Sequence, residues 1–434
     1  MVADAASIPA MPDALPSPNA SLGPISLAKD KIRILLLEGI SDSAVATLNA
    51  AGYTNIRREK KALDEASLKE AIKGVHLLGI RSRTRVTEAV LEEADRLIAV
   101  GCFCIGTDQV DLAAARKRGI PVFNAPFSNT RSVAELVMGE IVMLLRGIPG
   151  RSNSAHVGVW DKSAADSREV RGKTLGIVGY GNIGAQVSVL AEAFGMRVTY
   201  YDVIPKLPHG NALSVPSLRA LLEGADVVTL HVPETVATQN MIGADEIALM
   251  KPGAILLNNA RGRVLDLDAL KAAMESGHLG GAAVDVFPEE PAKNTDPFHS
   301  PLQGLRNVIL TPHIGGSTVE AQSRIGEETG RKLVDYSDMG ATLGAVNFPE
   351  AVLPARQRGA RFLHVHGNHP GTLAAINEVF TRRGANIAGQ YLQTDSEIGY
   401  VVVDAEGLAD ANVVLEELRA LPGTVRARLL YERG

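Results

Sequence analysis

Gly179-Tyr180-Gly181-Asn182-Ile183-Gly184 follows the apolar run Leu175-Gly176-Ile177-Val178, and an acid, Asp202, closes the next apolar run, Val198-Thr199-Tyr200-Tyr201. Strand, glycine turn, helix, strand and acid in that order suit a dinucleotide. Gly179 permits the tight turn, Gly181 lets the backbone approach a pyrophosphate, and Gly184 lets the helix pack on its strand, while the helix N-terminus offers free N–H groups. Asp202 is placed to accept ribose hydroxyls, and Val203-Ile204-Pro205 bring no cation for a 2′-phosphate, so NAD is expected over NADP. Further along stand Arg261 in Asn258-Asn259-Ala260-Arg261-Gly262, Glu290 in Asp285-Val286-Phe287-Pro288-Glu289-Glu290-Pro291, and His313 in Thr311-Pro312-His313-Ile314-Gly315-Gly316. Each lies at or just past the C-terminal end of an expected strand, the edge at which open α/β sheets hold ligands. A neutral imidazole near pH 7 can take a hydroxyl proton, and a carboxylate beside it fixes its tautomer and stabilises the imidazolium. A guanidinium can hold a substrate carboxylate through two bonds and polarise a keto oxygen. His313 is therefore the expected base, Glu290 its partner and Arg261 the carboxylate anchor. Taken singly, each has a plain structural role open to it; their shared edge is what points to chemistry.

Such a set needs sheets to hold it. The chain has 434 residues, 46% of them hydrophobic, enough for roughly two to four domains. With a net charge of −5 and its basic residues scattered, it shows neither a nucleic-acid footprint nor a membrane-surface patch. Its two cysteines, Cys102 and Cys104, are expected on one side of a strand as buried thiols, too few for a zinc site and in keeping with a reducing cytoplasm. Residues 1 to 27, rich in Ala, Pro and Ser, read as a disordered extension rather than a signal or transit peptide. From Lys31 onward, apolar runs at Ile34–Leu37, Val75–Ile80 and Leu97–Val100 alternate with amphipathic ones, and Ser41 can cap a helix that stops at Gly52. That alternation predicts a parallel sheet ending near Val122-Phe123. Ser132-Val133-Ala134-Glu135 reads as a capping box before a long helix through Leu145, whose apolar excess suits burial between two domains or against a second subunit. The glycine turn then begins a second α/β unit, with strands expected at 226–230, 254–257, 282–285 and 308–310. Beyond Pro354 the pattern changes to βαββαβ, the ferredoxin-like order.

Several further runs carry a resemblance. Arg81-Ser82-Arg83-Thr84, Gly101-Cys102-Phe103-Cys104-Ile105-Gly106, Phe123 to Glu135, Asp285-Val286-Phe287-Pro288 and Thr311 to Thr318, with the glycine turn and the Arg261, Glu290, His313 set, resemble the D-2-hydroxyacid dehydrogenases. His366-Gly367-Asn368-His369-Pro370-Gly371 and Gln390-Tyr391-Leu392-Gln393-Thr394 are similar to the ACT domain that some bacterial members carry at the C-terminus. The resemblance implies two Rossmann/flavodoxin-like parallel-sheet domains plus a ferredoxin-like ACT domain. They divide into a discontinuous substrate-binding domain (28–128 and 316–354), an NAD-binding Rossmann domain (129–315) and a regulatory tail (355–434). It implies NAD-dependent oxidation of 3-phosphoglycerate at the head of serine synthesis, restrained by L-serine, in a homo-oligomer expected to be a homotetramer. Coenzyme contacts would come from Gly179, Gly181, Asn182, Ile183, Gly184, Asp202, Asn259, Ala260, Arg261, Asp285, His313 and Gly316. Backbone and side chains of Arg81, Ser82 and Arg83 would hold the substrate anions, with Asn129, Lys60 and Lys162 as further contacts. L-Serine would meet His366, Asn368 and, from a paired tail, Asn386. Two other functions stay open: oxidation of another D-2-hydroxy acid such as 2-hydroxyglutarate, and NAD sensing by a corepressor-like binding protein.

Overall fold

The computed structural model describes residues 27–291, 295–354 and 359–430; residues 1–26 of the expected N-terminal extension lie outside the described residues. The chain divides into two compact units. One holds Ile32–Tyr336 with Thr342–Phe348, and the other holds Ser337–Ala341 and the chain from Pro349 onward.

The first unit is built on two parallel sheets. Strands β1 (Ile34–Leu36), β2 (Ile56–Arg58), β3 (Leu77–Ile80), β4 (Ala99–Cys102) and β5 (Val122–Phe123) lie in the order β2-β1-β3-β4-β5. Helices cover both faces, so β1, β3 and β4 are buried at every residue and read as unbroken apolar runs. Ser41 caps the helix Asp42–Ala50, its hydroxyl accepting from the Ser43 N–H at 3.4 Å. Cys102 closes β4 and is buried, whereas Cys104 lies beyond the strand and is half-buried; both are free thiols. The second sheet holds β6 (Thr174–Val178), β7 (Arg197–Tyr201), β8 (Leu213–Ser214), β9 (Val227–Leu230), β10 (Ala254–Asn258), β11 (Leu279–Val284) and β12 (Val308–Leu310). Its order, β12-β11-β10-β9-β6-β7-β8, reverses direction beside β6, the switch point at which such sheets open a crevice.

The helix Thr130–Leu145 follows the first sheet. Val133, Val137, Ile141, Leu144 and Leu145 are buried within the chain, which accounts for most of its apolar excess without a second subunit. The expected capping box is not there. Asn129 is the cap residue and makes no side-chain cap bond; Ser132 lies inside the helix, its hydroxyl 2.7 Å from Thr318 Oγ1, and Glu135 pairs with Arg131 at 2.6 Å. A tertiary partner for Ser132 displaced the local one. After the second sheet, the helix Val319–Met339 returns to the first, its Thr329 and Leu333 side chains packing where Gly101 leaves room. Ser43 donates to the Ser323 carbonyl at 2.7 Å, Lys332 to the Asn124 carbonyl at 2.8 Å, and Val346 N–H to the Val122 carbonyl at 2.8 Å.

The second unit is an antiparallel sheet of β13 (Ala360–Gly367), β14 (Asn386–Thr394), β15 (Ile398–Glu406) and β16 (Thr424–Leu429), in the order β14-β15-β13-β16. Helices Thr372–Arg382 and Ala411–Ala420 bury Ile376, Phe380, Val414 and Leu418 against Phe362, Val401 and Val403. This is the ferredoxin-like order that the sequence predicts. The unit reaches back before residue 355 because Arg361, buried and paired with Asp404 through two 2.6 Å bonds, also donates to the carbonyls of Met339 and Pro354. Tyr400 adds a 2.6 Å bond to the Gly340 carbonyl. Among the described residues, no helix is long and apolar enough to cross a membrane.

Candidate active site

The glycines of the β6 turn differ in what surrounds them. Gly179 has a φ of +92°, and a Cβ there would lie 2.5 Å from the His231 carbonyl oxygen; one at Gly184 would lie 2.2 Å from the Gly179 carbonyl oxygen. Both positions admit only hydrogen. At Gly181, the cap residue of the helix Asn182–Ala193, a Cβ would meet nothing within 4 Å. Space at an uncapped helix N-terminus, with Gly181 and Asn182 exposed, Ile183 half-buried and Gly184 buried, is what a pyrophosphate requires. Asp202 accepts from the Tyr180 N–H at 2.8 Å and the Ile204 N–H at 2.9 Å, which ties the acid to the turn. The residues present thus fit a bound dinucleotide.

At the crevice end of the same sheet, His313 Nδ1 lies 2.9 and 3.0 Å from the two Glu290 carboxylate oxygens. Glu290 also accepts from the Phe287 N–H at 3.2 Å. The bond to Glu290 raises the His313 pKa, against the opposing effect of burial and with help from the charges of Glu290 and Asp285. Burial pushes the Glu290 carboxyl up, but the bond and charge of His313, the Phe287 N–H and the Arg261 guanidinium outweigh it and hold it below the usual carboxylate range. With Nδ1 committed, Nε2 is the ring atom left to exchange a proton. His313 sits at φ +54°, a left-handed conformation costing a non-glycine residue of order 1 kcal/mol. Buried Asp285 holds it there: its carboxylate accepts from the Thr311 hydroxyl at 2.6 Å and from the Ile314 and Gly315 N–H groups, each at 2.8 Å. Asp285 thus organises the His313 loop with both oxygens. Arg261, just past β10, faces the first sheet, since a Cβ at Gly106 would be 3.9 Å from its guanidinium.

Asn259 and Ala260 are more deeply placed. Both are buried, and the Asn259 amide donates to Glu140 at 3.0 Å. Glu140 is fully buried in the helix Thr130–Leu145, and burial pushes its carboxyl up to about 8. Sequence reasoning passed over it, although an acid inside Val137-Met138-Gly139-Glu140-Ile141-Val142 was the available signal. Asn129 is buried against Gly316, where a Cβ would be 2.6 Å from its amide nitrogen.

The first sheet holds a second residue that sequence reasoning missed. Glu38, past β1, accepts three backbone N–H groups of the loop after β3: Arg81 at 3.1 Å, Thr84 at 2.8 Å and Arg83 at 3.0 Å. Two of the three backbone N–H groups expected to meet substrate, those of Arg81 and Arg83, are thus bonded within the chain. Of the loop Arg81–Thr84, only the Ser82 N–H is left by Glu38. Lys60 is exposed in the segment that pairs with this corner, since Glu38 and Gly39 donate to the Lys61 and Glu59 carbonyls. Lys162 is not brought to that corner by any described bond; it lies in a segment, 157–166, exposed throughout.

In the tail, His366 is buried at the end of β13, its Nδ1 2.9 Å from the Gly367 carbonyl, and exposed Asn368 follows with a 2.6 Å bond to the Asp395 carbonyl. Asn386 pairs with Glu406, whereas Gly367 pairs with Ile398, eight residues away along β15. That separation is about 26 Å at a strand's rise per residue. One tail does not bring the three residues together.

Residues 138–315 match the family described as D-isomer specific 2-hydroxyacid dehydrogenase, NAD binding domain, and residues 362–426 match the AHAS small subunit-like ACT domain. Among relatives, the chain is 59% identical over 408 residues to D-3-phosphoglycerate dehydrogenase of Escherichia coli strain K12, covering 94% of this chain and 99% of that one. It is 58% identical over 407 residues to the enzyme of the same name from Haemophilus influenzae, with the same coverages. Among solved structures, D-lactate dehydrogenase from Aquifex aeolicus, complexed with NAD and lactic acid, superposes with a TM-score of 0.63 at 28% identity, over 73% of this chain and 100% of that one. With both sheets, the crevice residues and the tail accounted for, the chain belongs to the D-3-phosphoglycerate dehydrogenase family of the D-2-hydroxyacid dehydrogenases.

Proposed function

We propose that this protein oxidises D-3-phosphoglycerate to 3-phosphohydroxypyruvate with NAD, the first step of the phosphorylated route to L-serine. The observation that carries this reading is the His313–Glu290 pair at the crevice edge, with Arg261 directed toward the first sheet. Arg261 binds the substrate carboxylate through its planar fork and polarises the oxygen on C2. His313 Nε2 takes the C2 hydroxyl proton, and Glu290 stabilises the resulting imidazolium. NAD, when bound along Gly179–Gly184 and Asp202, supplies the acceptor for the C2 hydride. Asp285 holds the loop that aims the imidazole, and the side chains of Arg81 and Arg83, with Asn129 and Lys60, take the phosphate end. In the reverse direction the same imidazolium returns the proton to the keto oxygen. The domains in this reading are a substrate lobe of 28–128 with 316–354, a coenzyme lobe of 129–315 and a regulatory tail from 355.

We place the enzyme in the cytoplasm as a homotetramer, with L-serine bound between two tails by His366 and Asn368 of one copy and Asn386 of the other. The register that holds Asn386 about 26 Å from the other two supports a site shared by two copies. Serine bound there would restrain the lobe motion that opens and closes the cleft. Two measurements test the reading. In reduction, kcat/KM for 3-phosphohydroxypyruvate should exceed that for 2-oxoglutarate; the reverse order would assign the second carboxylate of 2-hydroxyglutarate to the phosphate subsite. Asn368→Ala should weaken serine inhibition and leave basal turnover in place; inhibition of undiminished strength would remove the tail residue from the effector site.

A further inference from the structure

Glu38 has a geometry that its position alone does not explain. It sits at φ +61°, a conformation that favours glycine, at the crevice end of β1. Its carboxylate accepts three N–H groups, at 2.8, 3.0 and 3.1 Å, from one short loop on the neighbouring strand β3. Three amides of this turn, those of Arg81, Arg83 and Thr84 with Ser82 left out, converge on one point, much as in the backbone nests that bind anions. In this chain the nest is filled by the chain's own carboxylate. The opposite side of the same loop is also fixed: buried Gln109 donates to the Arg81 carbonyl at 2.7 Å and to the Gly106 carbonyl at 3.2 Å. Gly106 is the residue that faces the Arg261 guanidinium. Glu38 and Gln109 thus tie the Arg81–Thr84 loop to β1 and to the loop that faces Arg261.

We propose that Glu38 is a positioning residue for recognition of the substrate's phosphate. Its carboxylate fixes the Arg81–Thr84 backbone so that the Arg81 and Arg83 side chains are presented together, and it withdraws the amides of Arg81, Arg83 and Thr84, though not that of Ser82, from the pool of anion donors. Phosphate binding is thereby assigned to two guanidinium groups on a braced loop, which prefer a dianion to a monoanion more strongly than neutral amides do. The inference rests on the proposed use of 3-phosphoglycerate and adds to it a reason for the choice of the phosphorylated acid.

The test compares the full-length enzyme with Glu38→Gln and Glu38→Gly. Glutamine keeps the shape but turns an NH2 toward an N–H donor. Glycine adopts the φ of +61° freely, so it removes the carboxylate without a backbone penalty. In both variants KM for 3-phosphoglycerate should rise by roughly 10-fold or more, since up to three charge-assisted bonds holding the loop are lost, with kcat within about 3-fold of wild type. KM for NAD should stay where it is. The deciding readout is the ratio of kcat/KM for 3-phosphoglycerate to that for unphosphorylated D-glycerate, expected to fall by roughly 10-fold. An unchanged ratio, or equal losses on both substrates in a folded variant, would overturn the proposal. Absence of 3-phosphoglycerate turnover in the wild-type protein would instead remove the functional reading on which it rests.

Discussion

The two parallel sheets of the first unit present similar edges and treat their backbone donors in opposite ways. On the second sheet, the turn after β6 ends in an uncapped helix N-terminus with open space at Gly181, so N–H groups are left for a ligand. On the first, the amides of Arg81, Arg83 and Thr84 are all taken by Glu38. A pyrophosphate lies close to backbone and is served by glycine; a small substrate that enters and leaves a cleft is served by long cationic side chains on a fixed loop. In the proposed function, residue type follows from that division, with glycines where the chain itself would make contact and arginines where it would have to reach.

The largest expected effect comes from removing the chemistry and leaving both grips intact. His313→Ala should lower kcat by a factor on the order of 10² or more with NAD affinity nearly unchanged, measured by steady-state turnover and coenzyme titration. A near-wild-type kcat would take His313 out of proton transfer. Next, Gly181→Ala should raise KM for NAD by roughly 10-fold or more while Tm stays close to wild type, because the added Cβ meets no protein atom within 4 Å but occupies the coenzyme's approach. A large loss of Tm would mean that this glycine serves the fold, as Gly184 does. Asp202→Ala should have a smaller effect, raising KM for NAD several-fold and narrowing the preference over NADP, since a 2′-phosphate no longer meets a carboxylate. An unaltered preference would leave Asp202 with only its bond to the turn.

The smallest effect concerns Glu140, which the reaction does not use. Its folded pKa of about 8 lies above the ordinary 4.5, so between those values the fold keeps a proton that the unfolded chain releases. Stability contributed by the protonated acid is therefore complete below pH 4.5 and declines as pH rises through about 8. Glu140→Gln should flatten that decline, and its Tm advantage over wild type should grow from pH 5 to pH 8; parallel Tm curves would show that Glu140 does not titrate in that window.

How much of this was legible in the sequence depends on how far each residue's partner lies along the chain. The glycine turn was readable because its demands are local: Gly179 needs a positive φ, and Gly184 must clear Gly179, five residues away. The βαββαβ tail was readable for the same reason, as hydrophobic period and turn residues suffice to order its strands. Ser132 misled because its spacing to Glu135 matches a capping box, while its real partner, Thr318, is 186 residues away. Glu38 gave no signal at all. Its partners are 43 to 46 residues distant, and only the pairing of β1 with β3 brings them together. The His313–Glu290 pair, 23 residues apart, was legible through the motifs around it, whereas the role of Asp285 in holding His313 at a positive φ required the folded loop.

The central claim, that His313 is the base and Glu290 sets its pKa, is tested most directly by the pH dependence of kcat/KM for 3-phosphoglycerate in wild type and Glu290→Gln. The bond from Glu290 is the main cause that raises the His313 pKa, so replacing the carboxylate by a neutral amide lowers it. The acidic limb of the profile should then move to lower pH, together with a fall in the plateau as the imidazolium loses its stabilising charge. An acidic limb that stays in place in the variant would contradict the account.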